Sequence, residues 1–314
     1  MSHPLVPATA GDRRRYRVTH RTVYDYDDVV SSSYGRCFLL PRDLPGQRVI
    51  ESAVLIDPEP ADRSTGVDVF GNSDTYFHVR TPHRRLEVVG SSIVDVDPVD
   101  LEALRAPGAL ANWESARPRV AGTPVEVEFT LDLMPPEISP AVRDYADEII
   151  VAGRPMIEVV AELTTRIHAD FAYRSGSTAI STRVDTVMSR REGVCQDFAR
   201  VAIACLRSKG LAARYVSGYL ATDPPPGRER VVGADASHAW LQVFVPDVGW
   251  IGLDPTNDKF VDERYVVLAW GRDYDDVPPL RGVIYTDSAS STITVSVDVA
   301  PQDDTPSMQV ARSG

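Results

Sequence analysis

The run from Arg191 to Gly210, REGVCQDFARVAIACLRSKG, constrains this chain more than any other stretch. Its apolar residues Val194, Phe198, Val201, Cys205 and Leu206 recur at three- and four-residue intervals. Arg207 and Lys209 gather at the end, and Gly210 can adopt the left-handed turn that closes a helix. The pattern predicts a buried helix of roughly fifteen residues with Cys195 in its first turn. At that position the unpaired N–H groups and the positive end of the helix dipole stabilise a thiolate, and a thiolate is a nucleophile. The same N–H groups can hold the oxyanion formed when a carbonyl is attacked. The competing reading is a small buried hydrophobe, the commonest role of a free cysteine, and a general base elsewhere in the chain must decide between them.

A chain of 314 residues is long for one domain and comfortable for two. The formal net charge of −12 argues against nucleic acid or an anionic membrane surface as the main partner, because either needs a basic patch. Arg13-Arg14-Arg15 is too short a run to reverse this. Met1 to Ala10 lacks the basic and apolar regions of a signal peptide, and no apolar run is long enough to cross a bilayer, so the expected address is cytoplasmic. The cysteines Cys37, Cys195 and Cys205 cannot all pair, which fits a reducing compartment and one reactive thiol.

Strand-like alternation at 16–26, 48–56, 75–79 and 85–96, punctuated by Pro41, Pro45-Gly46, Pro58, Pro60 and Gly71-Asn72, predicts an antiparallel β domain over residues 1–98. A connector follows at 99–136, with one strand-like piece from Val125 to Leu131. Ser139 and Pro140 then open a helix running to about Ala152, and Ile157, Val160, Ala161, Leu163, Thr164 and Ile167 stripe a second from about Pro155 to Asp170. After the cysteine helix come strands at 212–220, 237–245 and 250–253, with a polar Pro-rich loop at 222–227 between the first two. The second half is thus an α+β core over 137–285, followed by a strand at 292–299 within a tail at 286–314.

A cysteine nucleophile needs a base within hydrogen-bond reach and a third group to orient it. His238 opens a strand whose odd positions, Ala239, Leu241, Val243 and Val245, form its aliphatic face, leaving the imidazole on the other face. Asp254 ends the next strand, so a hairpin makes it a cross-strand neighbour of His238.

Four segments, Gly193-Val194-Cys195-Gln196-Asp197-Phe198-Ala199, Ala213 to Tyr219, His238-Ala239-Trp240 and Gly249 to Asn257, together resemble the transglutaminase-like superfamily. The first half resembles the β domain that precedes this core in many bacterial members, through Tyr16 to His20, Leu40-Pro41-Arg42, Asp68 to Asn72 and Pro82-His83. Gly271 to Pro279 resembles the segment that usually follows. The resemblance implies a papain-like triad, with Cys195 as nucleophile, His238 as base and acid, and Asp254 holding the imidazole. It implies thioester chemistry on glutamine side chains or peptide bonds of a protein or peptide substrate. Transamidation, deamidation and proteolysis stay open, as does a non-catalytic interaction module on the same fold. No Asp-x-Asp-x-Asp-Gly loop is present, so calcium activation is not supported. Tyr173 is the nearest upstream aromatic that could serve as oxyanion donor. Gln196 is either a substrate or oxyanion contact or a polar residue serving the helix end, and Trp240 is a core or cleft-wall aromatic. His20 and His83 invite a metal reading, but no zinc-ligand spacing accompanies them, so no metal and no cofactor are expected. The oligomeric state is left open.

Overall fold

The structure is a computed structural model and describes residues 11–118, 124–222, 236–287 and 290–302. The loop expected at 222–227 therefore lies, apart from Thr222, outside the described residues. The first part of the chain forms β1 (Arg14–Cys37), β2 (Gln47–Asp57), β3 (Asp62–Val67), β4 (Ser73–Val79) and β5 (His83–Val96). They lie in the order β2-β5-β1-β4-β3, all neighbours antiparallel. Strand β1 runs 24 residues, well past the 16–26 read from its sequence. Its first half pairs with β5 and its second with β4, with an irregularity between Asp25 and Val30.

The connector holds α1 (Pro107–Leu110) and α2 (Pro124–Glu128). The strand expected from Val125 to Leu131 is not formed: α2 and a turn occupy that stretch. The reason is tertiary. The Phe129 carbonyl, just past α2, accepts from Ala213 N (3.0 Å) and Arg207 Nε (3.0 Å), contacts that hold the turn against the core.

The core contains α3 (Pro140–Ile149), α4 (Met156–Asp170), the short strand β6 (Ala172–Tyr173), α5 (Val184–Arg190), the short strand β7 (Glu192–Gly193) and α6 (Cys195–Ser208). Ser139 caps α3 by accepting from Val142 N, with Pro140 at the first helical position. A sheet follows, built from β8 (Ala213–Leu220), β9 (Ala236–Val245), β10 (Gly249–Asp254), β11 (Lys259–Phe260) and β12 (Tyr265–Gly271) in the order β11-β10-β9-β8-β12. Helix α6 lies at the centre: Phe198, Val201, Ala202, Cys205 and Leu206 are buried with Leu241 and Val243 of β9 and with Ile149 and Val160 of α3 and α4. Fourteen residues make only a marginal helix in water, whereas each large apolar side chain buried contributes about 1.5–3 kcal/mol. Gly210, at φ +74°, closes the helix. Its N–H bonds Arg207 O (2.9 Å) and that of Leu211 bonds Leu206 O (3.1 Å), the paired bonds of a Schellman turn.

The last strands do not continue the core. β13 (Leu280–Thr286) pairs with the second half of β1, and β14 (Ser291–Pro301) pairs with its first half. Residues 280–285, grouped with the core on sequence, belong to the N-terminal sheet instead. Chain ends far apart in sequence thus share one seven-stranded sheet.

Candidate active site

Cys195 is the first residue of α6, partly buried at the edge of the main core. Asp197 in the same turn is buried, and its Oδ2 accepts from Val194 N (2.8 Å) and Thr178 Oγ1 (2.6 Å). This ties the helix start to the loop between β6 and α5. The N–H groups of Asp197 and Phe198 bond Val194 O, so helix geometry leaves those of Cys195 and Gln196 outside the ladder. They are the oxyanion donors the position offers.

His238 lies near the start of β9, opposite Gly218 of β8. Its Nε2 stands 2.7 Å from Asp254 Oδ2, and Cys195 lies near enough to act on the same imidazole. The hairpin register pairs Leu241 with Leu253 and so sets Asp254 beside Trp240; the carboxylate reaches His238 diagonally along the strand. Burial disfavours the imidazolium, but the hydrogen bonds and charges of Asp254 and Cys195 outweigh it and push His238 up from 6.5 to about 10.

Asp254 is fully buried. Its Oδ1 accepts from Thr256 N (2.9 Å) and Asn257 N (3.3 Å), an Asx turn dictated by Asp254-Pro255-Thr256-Asn257. Its Oδ2 accepts from His238 Nε2, Asn257 Nδ2 and Tyr265 Oη, each at 2.7 Å. Burial works to raise the Asp254 carboxyl, yet these donors hold it below the usual carboxylate range.

The remaining candidates separate. Tyr173 is 56% exposed, stacks edge-on against Phe198, and has its phenol pushed up by burial and by the nearby Cys195. It borders the thiol. Gln196 is half-buried and its amide donates to Ile180 O at 3.4 Å, so it braces the same loop that Asp197 holds. Trp240 does not reach a cleft. It is fully buried, lies under the imidazole with ring centroids 6.1 Å apart, and meets Tyr265 edge-on at 5.3 Å. Gly218 makes room for it, since a Cβ there would stand 2.5 Å from the indole and 2.2 Å from Val266 O.

Sequence reasoning missed Asn257 and Tyr265. Asn257 had a local signal, the turn after Asp254, whereas Tyr265 had none. Cys37 and Cys205 are buried, and burial pushes both thiols up to about 12. His20 bonds Tyr219 Oη and Thr22 Oγ1, and His83 bonds Ser33 Oγ and Thr81 O, so packing occupies both imidazoles. Among the described residues no group of three or more His, Cys, Asp or Glu side chains is placed to hold a metal ion. None of the described helices is long and apolar enough to cross a membrane.

A helix that begins on a cysteine and packs on an antiparallel sheet supplying a histidine and an aspartate is the α+β class shared by papain-like and transglutaminase-like proteins. Residues 143–255 match the model of the transglutaminase-like superfamily, and residues 16–95 that of the bacterial transglutaminase-like N-terminal region. The chain belongs to the transglutaminase-like superfamily. An uncharacterized protein of Mycobacterium tuberculosis is 59% identical over 293 residues, 91% of this chain and 93% of the relative. A protein-glutamine gamma-glutamyltransferase of Pseudomonas aeruginosa is 32% identical over 127 residues, 39% of this chain and 19% of its own length. The crystal structure of a candidate cysteine protease from Cytophaga hutchinsonii superposes with a TM-score of 0.70 at 18% identity, covering 95% of this chain and 94% of the other.

Proposed function

We propose that the protein is a thiol-dependent acyltransferase of the transglutaminase or deamidase type, acting on glutamine side chains of proteins or peptides. The observation that carries this reading is the imidazole of His238 held between a buried carboxylate and a cysteine at a helix start. The 32% identity with a protein-glutamine gamma-glutamyltransferase over 127 residues favours this donor over a peptide bond.

In this reading the Cys195 proton already rests on His238 as imidazolium, and the thiolate attacks the carboxamide carbon of glutamine. The oxyanion of the tetrahedral adduct is held by the first-turn N–H groups of α6. The imidazolium returns its proton to the departing nitrogen, ammonia leaves, and a thioester remains on Cys195. An amine that attacks the thioester forms a new amide and restores the thiol; water gives glutamate instead. Asp254 stays ionised throughout and keeps Nε2 as the donor, so Nδ1 faces the sulfur.

The test is intact-mass spectrometry after incubation with a glutamine-containing protein and a labelled primary amine. Label incorporated by the native chain and absent with Cys195→Ala supports transamidation, and a 1 Da gain per glutamine without label supports deamidation. Substrate fragmentation dependent on Cys195 would replace the proposal with a peptidase. No Cys195-dependent product of any kind would reduce the fold to an interaction module.

A further inference from the structure

Among the described residues, the phenol of Tyr265 is the one Asp254 partner that comes from neither the hairpin nor its turn. Tyr265 begins β12, on the far side of β8 from the strand that carries His238. It is buried, its hydroxyl donates to Asp254 Oδ2 at 2.7 Å, and its ring lies 6.1 Å from the imidazole. An oxygen that already serves His238 and Asn257 divides its negative charge among its donors, so Tyr265 weakens the hold of Asp254 on the imidazolium.

The strand carrying Tyr265 is gripped from outside the core. Gln47 of the N-terminal sheet donates to Val267 O (2.9 Å) and accepts from Val267 N (2.8 Å). Asn72 donates to Trp270 O (2.7 Å) and accepts from Trp270 N (2.9 Å), while Arg42 stacks on the Trp270 ring at 3.5 Å. Two side-chain amides thus act as strand partners for the outer edge of β12. Beside this grip lies a cavity of about 730 Å³ between the two sheets, with Tyr265, Gln47, Leu44 and Val261 in its wall.

We propose that Tyr265 is a positioning residue for the Asp254–His238 pair, and that the N-terminal β domain acts on the site by clamping the strand that presents it. The proposal gives the β domain a part in the chemistry proposed above and rests on that reading for its kinetic arm only. The titratable groups facing His238 are Cys195 from α6, Asp254 from β10 and Tyr265 from β12; Asp262 and Arg264 act on the phenol from the turn before β12.

The experiment uses the full chain and follows His238 by nitrogen chemical shifts of its labelled ring as pH is raised, without substrate. Tyr265→Phe removes the hydroxyl and keeps the ring, so the fold is retained. The expected result is a His238 titration moved up by about half a pH unit or more, because Asp254 now favours the imidazolium more strongly. Turnover should fall about 10-fold with KM within twofold, since the phenol is remote from the substrate. Gln47→Ala should move the titration in the same direction, and should add nothing in the Tyr265→Phe background. If Gln47→Ala fails to fold, Asn72→Ala takes its place in the cycle. An unshifted titration in folded Tyr265→Phe overturns the positioning role. Additive shifts in the double variant overturn the clamp. Either result can be read even if the chain transfers no acyl group, so failure here is distinct from failure of the proposed function.

Discussion

At the scale of single residues, the site is a short chain of hydrogen bonds in which each partner fixes the next. Replacing Asp254 by Ala would leave the buried Tyr265 hydroxyl without its acceptor and undo the turn at Asn257, and so mix structural loss with functional loss. Asp254→Asn keeps the shape; turnover in amine incorporation is expected to fall by about 10³- to 10⁴-fold while the circular dichroism spectrum is kept. The pH dependence has a definite sign. His238 is raised in the folded protein, so its contribution to stability is complete below pH 6.5 and is lost as pH rises toward about 10. Asp254 is lowered, so its contribution is present above the unfolded carboxylate range and is lost in acid. The Tm advantage of the native chain over His238→Gln should therefore shrink between pH 6.5 and 10; a constant difference across that window would contradict the charged pair. Cys195, His238 and Asp254 were legible because each sits at a recognisable place, a helix start or a strand end. Trp240 stayed undecided between core and cleft wall because alternation names a face of a strand and does not say what covers it.

At the scale of elements, α6 and the hairpin of β9 and β10 were readable from periodicity, since each carries its own pattern and its own stop signal. The start of α6 depends on a longer-range tie. Asp197→Ala removes the acceptor for Val194 N–H and Thr178, and should cost about 1–2 kcal/mol in urea unfolding while loosening the loop that borders Tyr173. Gly218 is constrained by space rather than by backbone angle. Gly218→Ala drives a methyl into Val266 O and the Trp240 ring, with an expected loss of about 1–3 kcal/mol in the same assay. The helix α2 shows the opposite case. Its Val-Glu-Val-Glu alternation has strand period, but the partners waiting for the Phe129 carbonyl impose a turn.

At the scale of the whole molecule, β13 and β14 close the N-terminal sheet along both halves of β1. A chain cut after residue 279 should lose that sheet as a cooperative unit, seen as early proteolysis within residues 14–96; undiminished protection would show that the sheet stands without its last strands. The amides of Gln47 and Asn72 then join this sheet to β12 of the core. The sequence by itself determined the helix that places Cys195, the strands that end on His238 and Asp254, and the existence of a β domain, because those signals are local periodicities and turn residues. Only the tertiary structure decided that Tyr265 shares the oxygen of Asp254, that Trp240 lies beneath the imidazole, and that the last strands return to the first. Those are contacts between residues far apart in the chain, and no local pattern specifies which distant partner a buried side chain will meet.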